Sequence, residues 1–371
     1  MRRAAPQDRE QRPDLSGEAP TVAAPAALPH TVRAMTPRLL ACALLALQIP
    51  AAQGIPAPGP ATGGPYAPQP IVAGGIVIPL FPPDSPFLKK DRIAEPEVYN
   101  MQQTVPGRIQ SIVNIHNPTI EFHPVDKGIN TGALVILVPG GGHNTLNVAT
   151  EGADFVHFFY NYGVNTAILR NRLRKDGYNA QTDAVYDAQQ AIRVIRARAA
   201  ELGVDPRKIG ILGFSAGAEL AAPSAVQYET FDTANGGSDP LAPVSSRPDF
   251  VGLVYPGPTP FTRDPKTAIP ADAPPTFIVC AGSGDAQHAI WADDYFRAFL
   301  NARVPNLEMH IYGNGVHANG MKDRSGEPFG TWHERFVDWF RDLGFLQKPG
   351  VETKAAKDAA AYAAQRKNPR S

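Results

Sequence analysis

The chain has 371 residues, in which 35 lysines and arginines balance 35 aspartates and glutamates. That length can hold one large domain or two ordinary ones. The balanced charge argues against nucleic acid or an anionic surface as the partner. The 38 prolines concentrate in the first 110 residues and in a few later loops. Such uneven composition marks boundaries between segments.

The N-terminal region is predicted to be a targeting signal. Met35-Thr36-Pro37-Arg38 carries a positive charge, an apolar run follows at 39–47, and small residues end at Gly54. This order is typical of a secretory signal over residues 35–54, and the run is too short to span a membrane. We therefore expect a secreted or periplasmic protein, with residues 1–34 untranslated or disordered. The alternative is a disordered tail with a chance apolar patch.

Three further segments are predicted from composition. Residues 55–108 are dense in proline and glycine and are interpreted as an arm or linker, although the apolar run at 71–80 could form an irregular strand. Residues 109–346 are interpreted as the catalytic domain. The alanine-rich residues 347–371 are expected to form a flexible tail, which could be a frayed helix.

Within 109–346, apolar runs alternate with helical patterns. Continuous runs are typical of strands covered on both faces, and they occur at 133–138, 167–169, 209–212, 251–254 and 277–280. Between 185 and 202, apolar residues recur at steps of three and four, which predicts an amphipathic helix. This alternation predicts an α/β fold, with a mostly parallel, doubly wound sheet and helices on both faces. In such folds the active groups follow the carboxyl ends of the strands.

The first candidate site is Gly213-Phe214-Ser215-Ala216-Gly217, directly after the run at 209–212. A serine on so sharp a turn between strand and helix needs small neighbours, which accounts for both glycines. Its Oγ would stand clear of the sheet, and the helix N-terminus would offer N–H groups to a developing oxyanion. Ser215 is therefore the predicted nucleophile.

A second candidate follows the run at 133–138. Pro139-Gly140-Gly141-Gly142-His143 frees the backbone to turn an N–H toward a ligand. In a serine hydrolase, such a run supplies half of the oxyanion hole, and the N–H of Ala216 supplies the other half. His143 is expected to line the pocket, although a surface position is the alternative.

A serine nucleophile needs a base and an orienting carboxylate, in the order serine, acid, histidine for this fold. His317 lies in a glycine-rich loop before the last helix and is the predicted base; His288, His310 and His333 occupy less suitable positions. Asp285 comes just after the run at 277–280 and is the predicted acid. The alternative acids are Asp264, Asp272, Asp293 and Asp294.

At residues 109–346 the chain resembles the esterase and lipase branch of the α/β-hydrolase superfamily, above all bacterial secreted esterases grouped with acetyl xylan esterases. The motifs that carry the resemblance are Pro139-Gly140-Gly141-Gly142-His143, Glu151-Gly152, Asp187-Ala188, Gly213-Phe214-Ser215-Ala216-Gly217, Pro274-Pro275-Thr276 and the His317 loop. The resemblance implies that Ser215, Asp285 and His317 form the triad.

The same resemblance places Gly141, Gly142 and Ala216 at the oxyanion hole, and we expect His143 and Glu151 to contact substrate. Two departures could alter the pocket. The acid loop reads Ser283-Gly284-Asp285, where consecutive carboxylates are common, and the base loop reads Gly-Val-His-Ala instead of Gly-Gly-His-Gly.

The predicted reaction is two-step acyl transfer with no metal and no cofactor. No cluster of His, Asp and Glu shows ligand spacing in the sequence. The proline-rich residues 256–275 show no helical period and predict an open cleft without a large lid. The expected substrate is a small acyl ester, such as the acetyl groups of xylan. The alternatives are a general short-chain carboxylesterase or lipase-like hydrolase, and a non-catalytic binding protein on the same scaffold. Oligomeric state is open.

Overall fold

A mixed eight-stranded sheet forms the centre of the computed structural model, which describes residues 64–234, 239–318, 320–321 and 328–367. Its strand order is β1-β4-β6-β5-β7-β8-β9-β10. The strands are β1 Ile76–Pro79, β2 Val98–Met101, β3 Ile109–Val113, β4 Thr119–His123, β5 Leu134–Val138, β6 Asn165–Arg170, β7 Ile209–Phe214, β8 Val251–Val254, β9 Thr276–Ala281 and β10 Glu308–Tyr312. Strands β2 and β3 form a separate antiparallel pair.

The sheet is antiparallel at one edge and parallel elsewhere. β1 pairs with β4, and β4 with β6, in antiparallel register, whereas every pair from β6 to β10 is parallel. Strands β5 to β9 are buried at every position. Because successive side chains point to opposite faces, full burial requires cover on both faces. The predicted α/β fold is confirmed.

Helices and short helical turns provide this cover. The α-helices are α1 Asp154–Tyr160, α2 Val185–Ala197, α3 Ala199–Leu202, α4 Ala218–Ser224, α5 Tyr228–Ala234, α6 Pro260–Arg263, α7 Ala286–Asn301, α8 Trp332–Asp342 and α9 Lys354–Lys367. Single helical turns lie at Ala149–Ala153, Arg174–Asp176, Ala180–Ala184, Ser215–Gly217 and Pro328–Thr331. The stripe predicted for α2 is buried, since Ala188, Ile192 and Ile195 have no exposed surface.

The interpretation of residues 55–108 as a linker is wrong for the part that the structure describes, whereas the strand that the sequence allowed at 71–80 is present as β1. β1 joins the central sheet, with Ile78 opposite Ile120, and Leu80 and Phe81 are buried. The sequence pattern does not reveal this packing, because a distant side chain binds backbone groups that lie outside any strand. The Glu121 carboxylate accepts hydrogen bonds from the N–H groups at positions 71 and 72, so no strand periodicity is needed.

The tail predicted at 347–371 contains the helix α9, as the sequence allowed, but this helix packs against the rest of the chain and is not a flexible segment. Ala355, Ala359 and Tyr362 are buried, and the Tyr362 hydroxyl donates to the Ala302 carbonyl at 3.0 Å. Small alanines at a spacing of four make a weak apolar stripe, which composition alone does not distinguish from a flexible segment. The predicted signal at 35–54 lies outside the described residues. In the described part of the chain, no helix is long and apolar enough to cross a membrane.

A buried ion pair between Arg172 and Asp187 joins the central sheet to helix α2. Arg172, just after β6, donates from its NH2 group to Asp187 Oδ1 on α2 at 2.8 Å, and its backbone N–H donates to Oδ2 at 2.8 Å. Its NH1 group donates to the Phe87 carbonyl at 2.6 Å. One guanidinium thus joins the sheet, a helix and the N-terminal segment.

Replacing Asp187 by Ala should destabilise the fold by about 3–5 kcal/mol, because it leaves the Arg172 charge buried without its partner. Urea unfolding measures the loss. The double variant Arg172→Met/Asp187→Leu should recover part of it, since no buried charge then remains unpaired. Glu201→Ala, which breaks an exposed pair with Arg198, is the control and should barely move the urea midpoint. Equal midpoints for Asp187→Ala and the wild type would contradict this role.

Candidate active site

Ser215 lies on a turn that accepts no side chains at its flanking glycines. Its φ angle is +51°, in the left-handed region that is strained for residues other than glycine. A Cβ atom at Gly213 would lie 2.4 Å from the Gly217 carbonyl oxygen, and one at Gly217 would lie 2.0 Å from that of Val138. The turn between β7 and α4 is therefore held tightly against the end of β5.

Ser215, His317 and Asp285 form one hydrogen-bonded series. Ser215 Oγ lies 2.8 Å from His317 Nε2, and His317 Nδ1 lies 2.8 Å from Asp285 Oδ2. Because a carboxylate only accepts, His317 must carry its proton on Nδ1, which leaves Nε2 free to accept from the serine hydroxyl. The three residues predicted as a triad are thus brought together, from three separate loops.

The acid loop and the base loop touch directly. Gly284 and Val316 form an isolated parallel bridge, and a Cβ atom at Gly284 would lie 1.8 Å from the Gly315 carbonyl oxygen. Gly284 is one of the departures from the family pattern. The structure accounts for it, because a side chain there would push the two loops apart.

The alternative bases His310 and His333 and the four alternative acids have partners outside the series, whereas the third alternative base, His288, contacts Asp285 itself. His310 Nε2 lies 2.7 Å from Glu308 Oε1 on β10, and His333 lies on α8 against the Phe158 ring. Each alternative acid accepts a hydrogen bond from another group: Asp264 from the Lys266 N–H, Asp272 from the Tyr228 hydroxyl, Asp293 from the Arg297 guanidinium and Asp294 from the Thr262 hydroxyl.

The glycine run lies against the serine turn. Gly141, Gly142 and His143 have φ angles of +129°, +63° and +60°, and a Cβ atom at Gly141 would lie 2.2 Å from the Thr145 carbonyl oxygen. A Cβ atom at Gly140 would lie 2.9 Å from that of Ser215. Gly141, Gly142 and Ala216 line the same cleft as Ser215, where the predicted oxyanion hole requires them.

Glu151, predicted as a substrate contact, lies in the wall of the cleft that holds Ser215, and it also has partners within the protein. The residue is buried, and its carboxylate accepts from the Gly140 N–H at 2.8 Å and from the Tyr255 hydroxyl at 2.7 Å. Burial raises the pKa of this carboxyl, while the hydrogen bond from Tyr255 opposes the rise. Both oxygens are bound within the protein, so Glu151 anchors the glycine run.

His143 lines the cleft but is mostly buried. Its Nε2 lies 3.4 Å from Glu219 Oε1 on α4, and the other oxygen of Glu219 accepts from Arg263 at 2.6 Å. The cleft has a volume of about 740 Å³. Its wall also includes Asn147, Arg174, Gln181, Glu219, Arg263 and Trp291. Most of these side chains are polar, which suits a hydrated ligand.

Sequence reasoning missed two residues that surround the imidazole of His317. His288 Nδ1 lies 2.5 Å from Asp285 Oδ1, and its ring stacks on that of His317 with centroids 3.9 Å apart. Tyr255, with a φ angle of +39°, packs edge-on against His317 at 5.0 Å. The signal for His288 was its position three residues after Asp285 at the start of a helix, which places both on one face.

Asp285, His288 and His317 also bring their ligand atoms within 4.8 Å of one another, as a metal site would require. The geometry is unfavourable, because the two imidazole rings are inclined by only 26°. Nitrogen lone pairs on nearly parallel rings do not converge on one ion. The absence of a metal stays a prediction.

Comparison with known proteins supports the same fold and class. A family model described as BD-FAE matches residues 122–245. An acetylxylan esterase of Xylanibacter ruminicola is 24% identical over 241 residues, covering 58% of this chain and 45% of that protein. Endo-1,4-beta-xylanase B of Butyrivibrio fibrisolvens is 32% identical over 123 residues, covering 33% of this chain and 19% of that protein. The chain thus spans less than half the length of these curated relatives.

The solved structure of an acetyl ester-xyloside bifunctional hydrolase from Caldicellulosiruptor lactoaceticus superimposes with a TM-score of 0.58. The two are 23% identical, and the match covers 75% of this chain and 99% of that one. The chain therefore has the fold of the α/β-hydrolase esterases. Its predicted resemblance to acetyl xylan esterases is confirmed.

Gly217→Ala should prevent the native turn, because the new Cβ would meet the Val138 carbonyl oxygen, which belongs to a central strand. We expect loss of soluble folded protein, measured by circular dichroism and size-exclusion chromatography. Gly313→Ala is the matched control, since a Cβ atom there meets nothing within 4 Å. A Gly217→Ala variant with native spectrum and thermal midpoint would contradict the contact.

Proposed function

We propose that this chain is a serine carboxylic ester hydrolase that works through an acyl-enzyme. The observation that carries the proposal is the series from Ser215 through His317 to Asp285, with two hydrogen bonds of 2.8 Å. A serine hydroxyl is a weak nucleophile unless a base takes its proton, and an imidazole needs a carboxylate to hold the right tautomer. Ser215 and His317 line one open cleft, and Asp285 is buried behind His317.

In the first step, Ser215 Oγ attacks the ester carbonyl carbon while His317 Nε2 takes the hydroxyl proton. Asp285 stabilises the imidazolium that forms. The carbonyl oxygen becomes an oxyanion and accepts from the N–H of Ala216 and from Gly141 or Gly142. Each such donor is worth about 10²–10³ in turnover. His317 then protonates the leaving alcohol as the carbon–oxygen bond breaks.

In the second step, water attacks the acyl-enzyme. His317 accepts one proton from this water, a second tetrahedral intermediate forms in the same oxyanion hole, and the proton returns to Ser215 Oγ as the free acid leaves. Glu151 supports both steps indirectly, because it holds the Gly140 N–H and thereby the glycine run. The chain's own residues supply every proton transfer.

The proposed natural substrate is an acetylated polysaccharide such as xylan. The related proteins are an acetylxylan esterase and a xylanase, and these names support the proposal without settling it. The segment between β8 and β9 contains one four-residue helix, α6, which is too short for a cap. An open, polar cleft of about 740 Å³ suits a hydrated sugar chain better than a lipid interface.

Export from the cell belongs to the same proposal, since a polysaccharide cannot enter it. The charged and apolar pattern at 35–54 supports this. Mass spectrometry of the exported protein should find an N-terminus near Ile55. Peptides from residues 1–34 on that protein would contradict the proposed signal.

Ser215→Ala should fold normally and lose about 10⁴- to 10⁶-fold in turnover of 4-nitrophenyl acetate, because no other group can form the acyl-enzyme. Wild-type protein should also gain one diethyl phosphoryl group from paraoxon, on the peptide that holds Ser215, and the variant should gain none. Activity of Ser215→Ala within tenfold of wild type rules out the serine mechanism. A wild type without activity or adduct would favour a binding protein on this scaffold.

The substrate class is tested with two panels. Nitrophenyl esters should be cleaved fastest as acetates, with a fall in rate beyond about four acyl carbons, because the mostly polar wall of the cleft offers a long acyl chain little apolar surface. Acetylated xylan should release acetate, measured by chromatography. Activity on nitrophenyl acetate without acetate from xylan would favour a general short-chain carboxylesterase. A preference for long-chain triglycerides would contradict both.

A further inference from the structure

The carboxylate of Asp285 binds two imidazoles. Oδ2 lies 2.8 Å from His317 Nδ1, and Oδ1 lies 2.5 Å from His288 Nδ1. Since the carboxylate can only accept, both nitrogens must donate. The mechanism above uses the first hydrogen bond and leaves the second without a role.

His288 is held firmly where it makes this contact. It lies in the first turn of the 16-residue helix α7, and its backbone N–H donates to the Asp285 carbonyl at 3.2 Å. The Trp291 ring packs edge-on against the His288 ring at 5.0 Å. Burial and the neighbouring His317 lower the pKa of His288, while Asp285 opposes that shift. The lowered pKa favours the neutral form of His288, in which Nδ1 carries the proton that it donates to Asp285.

The stack of the two rings has a chemical consequence. Their centroids are 3.9 Å apart, with planes inclined by 26°. Two imidazolium ions this close would repel each other strongly. The ring that faces Ser215 must become charged during acyl transfer, so its neighbour has to remain neutral. The lowered pKa of the half-buried His288 meets that requirement.

We propose that His288 is a positioning residue for the acid and base of this site: its Nδ1–H holds Asp285 in the rotamer that faces His317. A carboxylate bound at one oxygen can rotate about its side-chain bonds. One bound at both oxygens, by groups on different elements, has a single orientation. Tyr255 confines the His317 ring from another direction. This inference rests on the proposed esterase function and deepens it.

The test separates the hydrogen bond from the stacking. His288→Asn keeps a donor close to the Nδ1 position but loses the ring, whereas His288→Phe keeps a ring and loses the donor. We expect His288→Phe to lower kcat for 4-nitrophenyl acetate about 10- to 100-fold, because the acid is misplaced. KM should stay within about twofold, because His288 lines the cleft and the phenyl ring keeps that part of the wall filled. His288→Asn should retain kcat within about threefold of wild type.

His310→Phe is the matched control, because His310 also pairs with a carboxylate but lies on β10 away from Ser215. Its kcat should equal that of wild type. Thermal unfolding of each variant shows whether it is folded, and His288→Leu replaces His288→Phe in the same comparison if the latter does not fold.

Two results would overturn the inference: kcat of His288→Phe close to wild type, or equal losses for the Asn and Phe variants. Both are distinct from failure of the proposed function, in which wild type itself lacks Ser215-dependent activity. A loss in His288→Phe that the Asn variant restores is specific to the donor, and a purely structural role would not produce it.

Discussion

The close approach of the serine turn to the end of β5 is the contact on which the rest of the site depends. A Cβ atom at Gly217 would lie 2.0 Å from the Val138 carbonyl oxygen, and one at Gly140 would lie 2.9 Å from the Cβ of Ser215. The nucleophile and the glycine run can be neighbours only because neither loop has a side chain at the crossing. The strain of Ser215, at a φ of +51°, is maintained by this packing.

Buried carboxylates fix the loops that regular secondary structure does not. Glu151 binds the Gly140 N–H, Asp187 binds the Arg172 backbone and guanidinium, and Glu121 binds the N-terminal segment at positions 71 and 72. Removing a charged carboxylate from water costs free energy. Buried carboxylates are tolerated where they accept hydrogen bonds from backbone N–H groups that have no partner in a helix or a sheet. Each of the three lies where an irregular segment meets the sheet.

A buried carboxylate also fixes the loops of the candidate triad. Asp285 lies at the junction of β9 and α7, and it joins the base loop to the helix through two imidazoles. The bridge between Gly284 and Val316 brings the two loops close enough for this. A site assembled from loops thus becomes rigid, because each loop is bound by groups on a strand or helix.

The sequence by itself determined the class of fold and the residues of the candidate triad. Short continuous apolar runs that alternate with helical patterns are typical of a sheet covered on both faces. The glycines around Ser215 are explained by the lack of space for a side chain on that turn. Both signals lie within a few residues of the chain. The sequence also led to His317 and Asp285, because the order of strands places their loops at one end of the sheet. It did not show how residues 64–108 and α9 pack, because that packing depends on scattered side chains and small alanines without a periodic signal.

Only the tertiary structure decided the roles of Glu151 and His288. The residues around Glu151 do not indicate that its partners are the Gly140 N–H and the Tyr255 hydroxyl. Tyr255 lies 104 residues further along the chain. The sequence places His288 too early in the chain for the base, and the structure places its Nδ1 at the second oxygen of Asp285. Hydrogen bonds join groups that are near in space, and a sequence pattern records only those that are also near along the chain.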